Sequence, residues 1–355
     1  MPYREPPRPK ADVKRAGVAF SNGIATLDDF QKIDQWRASH GYVINTFQAW
    51  IKGRINRKEY YVEFAQRLKR RKTVLDKLQR KSLDGELLIK DVSSIHDFAG
   101  CRMIFDNLDS LRDFRDYMHS SAVTKNVRHE VRHELSKYDY IEHPKSSGYR
   151  GIHDVYKHYP RGSSRAKQET KPWDGLLVEI QYRTRAQHAW ATAVEISDLL
   201  DGERTKFEMN ISERGEFFAI ASEVIARRHE EISNSFPEKS IDELQNRLRE
   251  LEKRLGIMQR LELLKQFEDE EKLQKHNVLN IYRDSEGLLA LEVLPFKTAA
   301  PAIAKATSLE ESGRSLNAVY VRADNPKQLR SAYRNYFYDP VDFVKLLGEG
   351  AALGS

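Results

Sequence analysis

Cysteine is almost absent from this chain: Cys101 is the only one among 355 residues. No disulfide can form within the chain, and a zinc site built on several thiolates is excluded, so no zinc is expected. Long apolar runs are missing too. No stretch approaches the roughly 20 residues that a membrane-spanning helix needs. The first ten residues, MPYREPPRPK, are basic and proline-rich with no apolar segment behind them, so they do not read as a secretory signal. No internal repeat is visible. The expectation by elimination is a cytoplasmic monomer that does not engage a membrane.

What the chain does have is charge. Charged residues make up 32% of it and hydrophobic residues 40%, enough for a packed core under a wide solvated surface. The net charge is +6 and the pI about 9.1, which favours polyanionic partners without choosing among them. The length exceeds that of one typical domain, so a large domain with a smaller one is expected.

Apolar spacing predicts helices over 26–53 and 58–80, after a disordered or irregular stretch over 1–20. Strands are predicted at 101–105, 152–159 and 176–182, the last apolar enough to be central, with helices at 108–119 and 184–200. The polar linker from Pro160 to Gly175 reads as a mobile hairpin. A further helix is predicted over 213–233. Ser240-Ile241-Asp242-Glu243 is a capping box that starts another. Its stripe of Ile241, Leu244, Leu248, Leu251, Leu255 and Met258 is either a coiled-coil seam or a face packed on its own chain; too few heptads follow for the former, so the latter is expected. From residue 277 a ββαβα pattern follows, with Pro326 in the first turn of its last helix. The fold class is α+β, a mixed β-sheet flanked by helices with a small C-terminal domain joined by long helices. The expected division is a main domain over 21–235, a connecting helix over 236–276 and a terminal domain over 277–350.

Three blocks carry the chemistry. They are Asp97-Phe98-Ala99-Gly100-Cys101-Arg102, His143-Pro144-Lys145-Ser146-Ser147-Gly148-Tyr149-Arg150-Gly151-Ile152-His153, and Glu179-Ile180-Gln181-Tyr182-Arg183-Thr184 continued by Gln187-His188-Ala189-Trp190. Each is common alone, but together and in this order they resemble the RelA/SpoT-type nucleotide pyrophosphokinase domain. That resemblance implies a synthetase-like nucleotidyltransferase-type fold and transfer of pyrophosphate from ATP to a ribose 3′-hydroxyl.

Such a transfer needs divalent metal on the phosphates, cations to absorb developing charge and a hydroxyl held in line. Asp97 and Glu179 are suited to Mg²⁺, which favours one or two carboxylates plus substrate oxygens. Asp97 alone could be a turn or cap, whereas Glu179 lies inside Leu176-Leu177-Val178-Glu179-Ile180, where an unpaired carboxylate is costly. In the resembled family these carboxylates bind Mg²⁺, and the one at Glu179 is proposed to help deprotonate the acceptor. The family also places an R-x-K element on a helix that grips ATP; Arg67-Leu68-Lys69 matches it, with Lys77 and Arg102 completing the ATP side. Tyr149 corresponds to the tyrosine that stacks on the acceptor base, with Lys145 and His153 nearby, and Arg150, on the same acceptor side, is expected to serve the loop or phosphates. Gln181, Arg183 and Gln187 follow Glu179 at spacings that can face the same cleft. Tyr182 departs from the family, where an aliphatic residue is usual. The His-Asp metal constellation of the family's hydrolase half is not found in this sequence, so degradation of product is not expected.

The tail holds Tyr333-Arg334-Asn335-Tyr336 followed by Phe337 and Tyr338. These aromatics either pack on the small sheet or bind another surface. Fused toxin–antitoxin members of the CapRel type carry a Y-x-x-Y motif in a cysteine-free, zinc-finger-like module that blocks the ATP site, and Tyr333 and Tyr336 have that spacing. The resemblance then implies an autoinhibited toxin acting on the tRNA acceptor end in anti-phage defence, released by a phage protein such as the capsid protein. The alternatives are an alarmone synthetase acting on free nucleotides, giving (p)ppGpp or (p)ppApp, and a catalytically inactive RNA-binding regulator.

Overall fold

A computed structural model describes residues 3–69, 71–80, 86–89, 91–125, 129–159, 171–201, 213–263, 274, 276–285, 289–312, 315–322 and 341–348. The chain divides into two compact units, Met1–Ile141 with Gly151–Arg185, and Glu142–Arg150 with Ala186–Ser355. This division differs from the expected one, because the Glu142–Arg150 loop groups with the helices that follow the sheet.

In the first unit, helix α1 (Lys10–Ser21) lies where an irregular segment was expected. The reason is a small-residue stripe: Val13, Ala16 and Gly17 are buried, and a Cβ on Gly17 would meet Val92 Cγ2 at 2.1 Å. Helix α2 (Leu27–Ile55) starts at a capping box between Thr26 and Asp29 and buries Ile33, Trp36, His40, Val43, Phe47 and Trp50 along one stripe. The expected helix over 58–80 is instead strand β1 (Val62–Leu68) followed by helix α3 (Arg71–Leu78). Tyr60, Phe64 and Leu68 recur every four residues, a spacing that fits both a helix face and one side of a strand. Strand β2 (Ala99–Phe105) leads to helix α4 (Leu108–His119), the one-turn helix α5 (Ser121–Thr124), and strands β3 (Glu130–Val131), β4 (Ile152–Lys157) and β5 (Leu177–Thr184).

Among the described residues these strands form one sheet ordered β1-β2-β5-β4-β3, so the apolar β5 is central as expected. The β2–β5 pair is parallel and its neighbours are antiparallel, which makes the sheet mixed. Direct cross-strand partners share a face. Gln181 pairs with Arg102 on one side and His153 on the other, and Gly100 and Val155 flank Glu179. On the opposite face the buried Asp154 is held by Arg115 Nη2 at 2.9 Å and lies 2.7 Å from His119 Nε2. Tyr182 is fully buried on that face, close to Asp154 and Tyr156. Three histidines, His40 on α2 with His129 and His158 packed under it, belong to the aromatic core.

The second unit begins with α6 (Arg185–Asp201), whose residues Ala186, Ala189, Trp190, Ala193, Val194 and Ile196 are buried as predicted. Helix α7 (Glu213–His229) is buried along nearly its whole length. Helix α8 (Ile241–Leu255) carries the predicted capping box and buries Leu244, Leu248 and Leu251. The connecting helix is broken: Gly256 adopts φ 58°, a left-handed cap, and α9 (Ile257–Leu263) starts after it. The stripe on α8 therefore packs within its own chain. Strands β6 (His276–Arg283) and β7 (Leu289–Phe296), helix α10 (Ala299–Glu311) and strand β8 (Ser315–Arg322) form a small sheet ordered β7-β6-β8 among the described residues. Val278, Ala302 and Ala306 make its core. The final helix α11 (Val341–Gly348) buries Phe343 and Leu347. The predicted helix containing Pro326, Tyr333 and Tyr336 lies outside the described residues, as does most of the linker read as a hairpin. Among the described residues no helix is long and apolar enough to cross a membrane.

Candidate active site

The polar face of the first unit's sheet gathers most of the predicted residues. Beyond the end of β1 the Lys69 amide donates to the Phe98 carbonyl at 2.9 Å, extending the ladder and bringing Lys69 beside Asp97. The Lys69 and Lys77 ammonium groups donate to Asp97 Oδ2 at 2.6 and 2.7 Å. Lys77 comes from the last turn of α3. Arg67 stands opposite Gly100 in the β1–β2 ladder. The Arg67-x-Lys69 element therefore lies on a strand and its exit, not on a helix.

A second cluster crosses β4, β5 and β2. His153 Nδ1 lies 3.1 Å from Glu179 Oε1, and Gln181 Nε2 donates to Glu179 Oε2 at 2.6 Å. Gln181 Oε1 in turn accepts from Arg102 Nε at 3.4 Å and Arg183 Nη2 at 3.3 Å. The period-two spacing of Glu179, Gln181 and Arg183 puts all three on this face.

Both carboxylates are ionised. Burial pushes Asp97 up, but the charge of Lys69, opposed by Glu179 and helped by Lys77, brings it below the ordinary aspartate value. Burial likewise opposes ionisation of Glu179, yet His153, Gln181 and Lys77 hold it well below the usual glutamate range. A carboxylate held this low is a better ligand for a cation than a base poised near neutral pH.

Asp97 Oδ1 is buried and accepts no hydrogen bond. A buried carboxylate oxygen left unpaired beside a second carboxylate fits a divalent cation with oxygen preference. Asp97 and Glu179 are the carboxylates that could hold such a cation. Among the described residues no group of three or more His, Cys, Asp or Glu side chains forms a cage of its own.

Sequence reasoning missed the wall of this site. The Tyr138 carbonyl accepts from the His153 amide at 3.1 Å, and the Tyr140 amide donates to the Gly151 carbonyl at 3.0 Å. Residues 138–140 therefore run beside the start of β4. The Tyr140 ring meets His153 edge-on at 5.4 Å, and His96, next to Asp97, lies 6.1 Å from the Tyr138 ring. The alternation Tyr138-Asp139-Tyr140 was the available signal.

The remaining predicted residues belong to the second unit. Lys145 is exposed, with its ammonium 5.3 Å from the Tyr149 ring centroid. Tyr149 is only 4% exposed and tilts against Trp190. Arg150, expected to serve the loop or phosphates, is buried: Nη1 donates to Ser222 Oγ and Nη2 to Glu223 Oε2, each at 2.6 Å. Gln187 is buried and donates to Glu230 Oε1 at 2.9 Å, a contact within its own unit. Tyr333 and Tyr336 lie outside the described residues.

Residues 66–197 match the family model described as a region found in RelA / SpoT proteins. Among solved structures, the small alarmone synthetase 1 from Bacillus subtilis bound to its product pppGpp is 25% identical, covering 54% of this chain and 90% of that one with a TM-score of 0.40. A GTP pyrophosphokinase family protein from Streptococcus pneumoniae is 20% identical, covering 63% and 98% with a TM-score of 0.38. The small alarmone synthetase 2 from Bacillus subtilis is 20% identical, covering 61% and 91% with a TM-score of 0.33. No curated protein matches the chain.

Proposed function

We propose that this chain, whose residues 66–197 match the RelA/SpoT region, is an ATP-dependent pyrophosphokinase that modifies the 3′-hydroxyl of the tRNA CCA end. The observation that carries the reading is the unpaired buried oxygen of Asp97 beside an ionised Glu179, on a sheet face that also bears Lys69, Lys77 and Arg102. Bound Mg²⁺ would neutralise the phosphate oxygens. The lysines can leave Asp97 for those oxygens as charge develops on the transferring group, and preorganised cations of this kind are the main source of rate in phosphoryl transfer. The row from His153 through Glu179 and Gln181 to Arg102 fixes the orientation of each side chain before substrate arrives.

The tRNA acceptor is supported by the net charge of +6, since a polyanion rewards excess cations as a single nucleotide does not. The Tyr333-x-x-Tyr336 spacing supports a tail that occupies the ATP site and is displaced by a phage protein such as the capsid protein. Replacing both tyrosines by alanine is expected to raise transfer in the absence of any partner.

The test is incubation with γ-labelled ATP and Mg²⁺, with bulk tRNA or with free GDP and GTP, followed by location of the label. Label on the 3′-terminal adenosine is expected. Label on the free nucleotide would make the chain an alarmone synthetase, and no transfer to either would leave a catalytically inactive RNA-binding regulator.

A further inference from the structure

We propose that Arg150 and Glu223 act as a positioning pair for the pyrophosphoryl-transfer reaction, locking the Tyr149 loop onto helix α7. The inference rests on the pyrophosphokinase reading for its catalytic half. Arg150 belongs to the motif, but its guanidinium does not face a ligand: it is 2% exposed. Glu223 lies outside the matched region, on α7, and its side chain is fully buried. Arg150 Nη2 also donates to Asn234 Oδ1 at 2.8 Å and Ser235 Oγ at 3.1 Å. The second Glu223 oxygen accepts from Arg227 Nε at 2.8 Å.

The backbone of the loop is fitted to the same helix. Gly148 has φ +87°, and a Cβ there would meet Ala219 Cα at 2.9 Å and the Phe218 carbonyl oxygen at 3.1 Å. Ser222 Oγ donates to the Gly148 carbonyl at 2.5 Å while accepting from Arg150. Gly148 thus allows the close approach, Ser222 joins loop to helix, and the ion pair fixes the side chain that directly follows Tyr149. A forked guanidinium held at both ends leaves the loop one position. Burying an ion pair adds little net stability over apolar packing, so its use here is better accounted for by geometry.

Two variants test the pair: Glu223→Gln, and Arg150→Met combined with Glu223→Leu, which removes both charges and keeps an apolar fill that preserves folding if the single change does not. Amide hydrogen exchange of residues 142–151 and steady-state kinetics are measured on the full chain. Exchange is expected to accelerate in that loop, with the β5 amides unchanged. The acceptor KM should rise about 10- to 100-fold while the ATP KM stays within about twofold, as for a displaced positioning element. Unchanged loop exchange in an active chain would overturn the inference alone. So would faster exchange with ATP and acceptor KM moving together, since the pair would then be ordinary scaffold. Absence of transfer by the parent chain to any acceptor would overturn the pyrophosphokinase reading, and the catalytic half of the inference with it.

Discussion

Asp97 and Glu179 in one unit, and Arg150 and Glu223 in the other, are charged side chains withdrawn from water, yet their surroundings differ. Arg150 and Glu223 neutralise each other and spend most of their remaining donors and acceptors on Ser222, Asn234, Ser235 and Arg227. Asp97 and Glu179 repel each other, and Asp97 keeps an oxygen with no donor. A buried carboxylate oxygen left without a donor beside a second carboxylate is a place where a cation can bind. Arg150, a motif residue, is spent on its own loop and helix, while Asp97 keeps an oxygen that a bound cation could use.

The largest expected effect is removal of divalent metal. Chelation should lower transfer by about a thousandfold or more, the equivalent of several kcal/mol of lost charge stabilisation. The fold should persist, because the carboxylate pair is a substrate site and not a structural cage. Full activity in excess chelator, or unfolding on chelation, would break the contrast.

The next effect falls on stability. Arg150→Met leaves the fully buried Glu223 with Arg227 as its remaining cation, and should reduce the unfolding free energy by about 3–5 kcal/mol. Urea denaturation measures this. A loss no larger than that of an exposed arginine would show that the pair is not compensated as the structure indicates.

A smaller, graded effect separates the sheet's core from its site. Burial lowers His40 and His158 to about 4 and His129 to about 3, all from an ordinary value of 6.5. Below pH 6.5 the unfolded chain takes up protons that the folded chain refuses. Stability is therefore complete above that pH and falls as the pH drops toward the folded values, by up to about 1.4 kcal/mol per pH unit for each histidine. Replacing His40 by glutamine should flatten the slope between pH 6.5 and 4; an unchanged slope would remove His40 from the account.

Much of the site was legible because its signal is local. Glu179, Gln181 and Arg183 announce a strand face by alternation, and the apolar run around them announces a central strand. Helix α4 was read at its observed bounds, and its start is fixed by Asn107, whose side chain accepts from the Ser110 amide. Positions spaced by four were not decisive in β1, where strand and helix faces coincide and pairing with β2 settles the matter. Helix α1 was hidden because small residues, not large apolar ones, form its buried stripe. The partner of Arg150 was illegible for a different reason: Glu223 is separated from it by 73 positions and belongs to no motif.

The most direct test of the central claim is the rate of label transfer from γ-labelled ATP by Glu179→Gln, measured beside its unfolding free energy. The substitution removes a charge that Asp97 opposes and keeps an amide able to meet His153 and Gln181. The account predicts transfer reduced by at least about 10²–10³, the scale of one lost transition-state charge contact, with stability changed by less than about 1 kcal/mol. Parental transfer, or a collapse of stability like that expected for Arg150→Met, would contradict it.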